Sequence, residues 1–171
     1  MTSERQMLQH MLAAIAYRAQ KALRGAPEGF AQFRAAPGVR TPMELVRHMA
    51  SVLGYARTFF IGGAYRADPR ATFEEEIERL HGNLSTLEPH VAADPFDRIT
   101  PLQLLQGPLS DVMSHAGQLA LLRRLFGSPV SPEDFIYAQV SGENLGPDQP
   151  TPAAPDEVWT TPEEEAERPP D

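Results

Sequence analysis

Thr41-Pro42-Met43-Glu44-Leu45-Val46-Arg47-His48-Met49-Ala50 opens with every signal of a helix start. Thr41 offers a hydroxyl to the first turn and Pro42 suits the first helical position. Glu44 follows the threonine by three residues, the spacing of a capping box. From there Leu45, Met49, Val52, Ala56 and Phe60 recur at steps of three and four, and Gly62-Gly63 ends the run. The same grammar repeats along the chain. Ser3 and Gln6 begin a first helix with the stripe Leu8, Met11, Leu12, Ile15, Ala19, Ala22 and Leu23, stopped by Gly25 and Pro27. Thr72 and Glu75 cap a third, in which Phe73, Ile77, Leu80, Leu84, Leu87 and Val91 follow the spacing of a bundle seam. Pro89 is expected to kink or end that helix early. Thr100, Pro101 and Gln103 give a fourth start. Gly107-Pro108 interrupts it, so a short turn should precede a main helix from about Pro108 to Phe126, closed by Gly127 and Pro129.

Four amphipathic segments bury their stripes best against one another, so the sequence predicts an all-α, antiparallel-dominated four-helix bundle. The connection of residues 26–40 exceeds a hairpin link and is expected to cross the bundle, with Phe30 and Phe33 as anchors. No alternating strand and no internal repeat is evident.

At 171 residues and 42% hydrophobic, the chain has the material for one core. Its formal charge of −8 is uneven. Residues 147–171 hold eight acids, one arginine and seven prolines, leaving 15 acids and 14 bases for residues 1–146. We therefore read a helical domain over 1–146 and an extended, solvated, Pro/acid-rich tail over 147–171, with Val158-Trp159 as its only large apolar anchor. A near-neutral body and an acidic tail do not suit phosphate-tracking, so no nucleic-acid partner is expected. No apolar run approaches a bilayer span and the N-terminus lacks a signal-peptide layout, so a cytoplasmic protein without membrane contact is expected. The absence of cysteine excludes disulfides, a thiol nucleophile and thiolate metal sites. Walker-type and dinucleotide glycine loops and a nucleophile elbow are also missing.

His115 falls inside the apolar arc of the last helix, with Asp111 one turn earlier at its margin. Side chains four apart point the same way. His48 sits at the shoulder of the second helix's stripe with Tyr55 and Glu44, so neighbouring helices would bring His48, Asp111 and His115 together. Two imidazoles and a carboxylate suit a divalent transition metal, with coordination positions left open for water. On spacing alone the plainer reading, two satisfied core histidines and a surface aspartate, carries more weight. Glu44 reads first as the cap partner of Thr41. Tyr55 and Gln118 are candidates to hold the second nitrogen of a metal-bound imidazole. His10, His81 and His90 read as surface residues, and Glu74, Glu75, Glu76 and Glu78 as a solvated helix start.

Thr41 to Ala50, the stretch Ser114-His115-Ala116-Gly117-Gln118 and the run Leu121 to Val130 together resemble the DinB/YfiT-like metalloenzyme family. The likeness covers most of residues 1–140. It implies a four-helix bundle, a homodimer, and a divalent metal held by one histidine of the second helix and a His-x-x-x-His pair on the last. His48 matches the first ligand and His115 the last, whereas Asp111 replaces the middle histidine and Ser114 the first histidine of the family's His-His-Arg-Gly-Gln signature. Nickel or zinc is implied, with iron or manganese as further options. The resemblance further implies a small-molecule substrate and, as co-substrate, a low-molecular-weight thiol, hence a thiol-dependent S-transferase, or else a hydrolase using metal-activated water. The alternative from another class is a metal-free bundle serving as a stress-response binding or dimerisation module.

Overall fold

The computed structural model describes residues 3–152 and is all-α, with no strand among the described residues. Helix α1 spans Ser3–Leu23, α2 Pro42–Ile61 and α3 Phe73–Ala93. A short α4, Pro101–Leu104, runs through a π turn at Leu105–Leu109 into α5, Ser110–Leu125. Ser3, expected to cap with Gln6, is itself the first described residue of α1, whereas the other three of the four capping boxes expected from the sequence form: Thr41 with Glu44, Thr72 with Glu75 and Thr100 with Gln103. Each satisfies two backbone donors at a helix end, which is why such starts are legible locally. Any cap ahead of Ser3 lies outside the described residues.

The four long helices share one core, led by Leu12, Ile15, Met49, Leu53, Leu80, Leu84, Leu87 and Leu119. α1 and α2 each touch both α3 and α5, so α1 and α2 occupy opposite corners. The connection between them therefore crosses the helix ends. Phe30 is fully buried there against Phe73 and Phe126, and Phe33 packs on Phe126. Arg123, buried at the end of α5, donates to the carbonyls of Ala22 and Arg24 and satisfies orphan acceptors at the C-terminus of α1.

Chain directions depart from the antiparallel expectation. Arg5 donates to Val91 O at 2.6 Å and Gln9 to Glu88, so α1 and α3 are antiparallel. Arg47 meets Glu76, Asn83 meets Ala50 O and Arg57 meets His90, so α2 and α3 are parallel. Arg123 on the end of α1 makes α1 and α5 parallel as well, which leaves α2 antiparallel to α5. The cause is the strap of residues 62–72. Gly62, at φ 78°, turns the chain out of α2, and the strap runs back along the helix before α3 begins. Pro89 gives a second correction: α3 continues through it to Ala93. The proline sits in the last turns, where it removes one hydrogen bond, while Leu87 and Val91 on either side are fully buried.

Residues 128–152 fold back over α1 and α3. Glu133, with its side chain wholly buried, accepts from Tyr17 and from Lys21 at 2.8 Å, and Arg18 lies 3.6 Å over the Phe135 ring. Leu145 and Gln149 are buried, and Arg24 grips the Gln149 carbonyl. The rest of the acidic stretch, with Val158-Trp159, lies outside the described residues.

Candidate metal centre

The fold brings His48, Asp111 and His115 together. His48 lies in the second turn of α2; Asp111 and His115 stand one turn apart on α5, directly after the π turn. The π turn accommodates Pro108, which lacks the N–H an α-helical turn would need. Nε2 of His48 lies 3.3 Å from Asp111 Oδ2, and Nε2 of His115 lies 3.3 Å from Asp111 Oδ1. The imidazoles meet edge to face with centroids 4.8 Å apart. One ligand atom from each of the three residues lies within 4.8 Å of the other two.

This donor set fits a divalent transition metal. The match is one of donor type: the two 3.3 Å separations run to different oxygens of Asp111, and ligand atoms up to 4.8 Å apart would have to draw in to the ~4.2 Å that two donors about 2.1 Å from one ion can span. Gln118 Oε1 lies 3.0 Å from His115 Nδ1, an acceptor placed to take a hydrogen bond from that nitrogen and leave Nε2 as the ligand atom facing Asp111. Burial pushes the His48 pKa down, with Arg40 and His115 adding to the effect and Asp111 opposing it. A depressed pKa keeps the ring neutral, the form that binds metal. The exposure gradient follows the helix angles: His115 is the most buried, His48 sits at the shoulder and Asp111 faces outward.

Other residues sort differently. Gln118 holds an imidazole, as its position suggested. Tyr55 does not: it packs on Phe59 and lines a cavity next to His48. Glu44 is the cap partner of Thr41 and pairs with Arg34; the Thr41 backbone N–H is the main cause of its lowered pKa. Ser114 is exposed and donates to Ser110 O, so the position matched to the first histidine of the DinB signature faces away from the cluster. His10 is exposed as expected. His81 is a correction: it is buried, with Nδ1 2.8 Å from Leu145 O and Nε2 3.2 Å from Gln20, because the C-terminal segment covers it. His90 is half-buried, paired with Asp94 at 2.7 Å and stacked on Phe60. Glu76 is another correction. It is fully buried, receiving Arg47 Nε and the Arg70 N–H at 2.8 Å each, and it forms an ionic contact with Arg79 that is not a hydrogen bond.

The cavity beside His48 has a volume of about 580 Å³. Ser51, Val52 and Tyr55 form its α2 wall, and Tyr65, Arg66, Ala67 and Asp68 of the strap form the other. No periodicity marks these strap residues, and only the fold places them next to a histidine. No helix among the described residues is long and apolar enough to cross a membrane. Comparison with protein-family models, with curated proteins and with solved structures found no match in any of the three.

Proposed function

We propose that the chain is a divalent-metal-dependent enzyme of the DinB/YfiT type, its four long helices forming the bundle of that family. One observation carries the reading: two imidazole nitrogens converge on one carboxylate at 3.3 Å each, beside an open cavity. His48, Asp111 and His115 would hold nickel or zinc, with iron or manganese as further candidates, since these donors are imidazole and carboxylate alone. When bound, such an ion supplies Lewis acidity to a water or to a small thiol. The chain's own residues do the rest. Gln118 fixes the His115 tautomer, Asp111 offsets the ion's charge, and Val52 and Tyr55 cover a substrate held next to His48. Lacking cysteine, the protein would take its thiol from solution, which makes transfer of a low-molecular-weight thiol to an electrophilic small molecule the leading reaction and hydrolysis the second. A homodimer belongs to the same proposal.

The test is metal content of untagged protein. We expect near-stoichiometric nickel or zinc, abolished in His48→Ala and His115→Ala. Trace metal indifferent to both substitutions would sink the proposal. A second reading, a metal-free binding or dimerisation module, is favoured by one feature: exposed Met7 and Leu102 rim an apolar cavity of about 620 Å³ between α1 and α4. Metal-free protein that self-associates through that face would support it.

A further inference from the structure

The strap 62–72 is anchored at three places. The Tyr65 ring lies against Gly54 and its hydroxyl accepts from Asn83 at 2.9 Å. Arg79 donates to Asp68 O at 3.0 Å, and the Arg70 N–H donates to Glu76 at 2.8 Å. Arg66 stands between the first two anchors. Its guanidinium is exposed and makes no hydrogen bond or ion pair among the described residues, yet it lines the cavity that contains His48. A surface arginine on a loose loop carries no message. This one is held in place by backbone fixed on both sides, and it brings a cation without a protein partner to the mouth of a candidate active site. Arg40, just ahead of α2, adds a second positive charge near His48. Asp68 lines the same wall and is the opposing charge.

We propose that this cavity binds the carboxylate of a small organic acid, with Arg66 gripping the carboxylate and Val52 and Tyr55 covering an apolar body beside His48. The guanidinium fork matches a carboxylate in two parallel hydrogen bonds. Asp68 sets the charge of the ligand, because a dianion such as a phosphate monoester would meet a carboxylate in the same wall. The inference rests on the metal-centre reading only for which end of the acid reacts.

The probes are benzoate, its uncharged counterpart benzamide, and phenyl phosphate. Each is titrated into the full chain while backbone amide NMR signals are followed, first after metal stripping and then with added nickel. Benzoate should shift residues 51–55 and 65–68 saturably, and Arg66→Met should weaken its binding about tenfold, with Arg66→Lys intermediate. Benzamide should bind at least about tenfold more weakly. Benzoate that does not saturate, that binds Arg66→Met as tightly as the native chain, or that binds more weakly than phenyl phosphate overturns the proposal. Failure of the native chain to take up nickel, with Arg66-dependent benzoate binding intact, supports the acid site and overturns the metal reading alone.

Discussion

The ring of Tyr65 fills the space that a β-carbon on Gly54 would need: an ideal Cβ there would stand 2.4 Å from three ring atoms. Gly54 is in the middle of α2, where glycine costs up to about 1 kcal/mol relative to alanine. The position tolerates that cost because the strap lies directly on the helix backbone. Gly54→Ala should therefore destabilise the protein, since forcing atoms into a filled site costs about 1–3 kcal/mol. In a Tyr65→Ala background the sign should reverse, leaving the helix-propensity gain of up to about 1 kcal/mol. Urea melts of the four proteins in this cycle measure the reversal, and additive effects would refute the packing argument.

His81 makes stability depend on pH. Burial lowers its pKa, although the hydrogen bond to Leu145 opposes the shift. The folded ring stays neutral where the unfolded one, near pKa 6.5, already takes a proton. The contribution is thus fully present above about pH 7 and is lost as pH falls below 6.5, at up to about 1.4 kcal/mol per pH unit. Denaturation at pH 8, 6 and 5 should show this slope in the native chain and a smaller one in His81→Gln. Equal slopes would remove His81 as the cause.

Gln118 is tested by metal affinity rather than stability. It lies on the exposed side of α5 and touches the cluster only through His115 Nδ1. Gln118→Ala should keep the fold and lower nickel affinity about 10- to 100-fold, the usual effect of freeing a ligand imidazole. Asp111→His would create a three-histidine set and, on the proposed reading, should still bind nickel. Calorimetric titration separates these outcomes, and unchanged affinity in Gln118→Ala would show that the imidazole needs no such hold.

Glu133 ties the C-terminal segment to α1. Replacing it by alanine strands Lys21 beside Tyr17, and breaking a buried pair from one side costs about 3–5 kcal/mol. Tyr17, whose pKa is pushed up to about 12 chiefly by burial and by the bond to Glu133, should titrate closer to 10 in that variant. Ultraviolet pH titration and thermal melts check both. A cost under about 1 kcal/mol would mean that the segment is held elsewhere.

The helix starts were legible because each cap is decided within four residues: Thr41 needs only Glu44. His48, Asp111 and His115 were legible because helix angle alone puts them near the core. Their meeting required α2 and α5 to be neighbours, which a sequence pattern does not state. Glu76 and His81 were not legible. Their burial is imposed by Arg47, 29 residues away, and by Leu145, 64 residues away. The direction of α3 was hidden for a similar reason, because residues 62–72 carry loop chemistry and the anchors that lay them along α2 belong to other helices.

The strap has one more consequence. From Thr41 to Thr72 a single uninterrupted stretch supplies one histidine of the cluster and both walls of the cavity, while α5 supplies the remaining donors. His48 belongs to both cavity and cluster, whereas the strap lines only the cavity and α5 contributes only to the cluster. On the proposed reading, exchanging the outward-facing residues between the Tyr65 and Arg70 anchors would alter ligand preference while the core and the His48, Asp111 and His115 cluster stay in place.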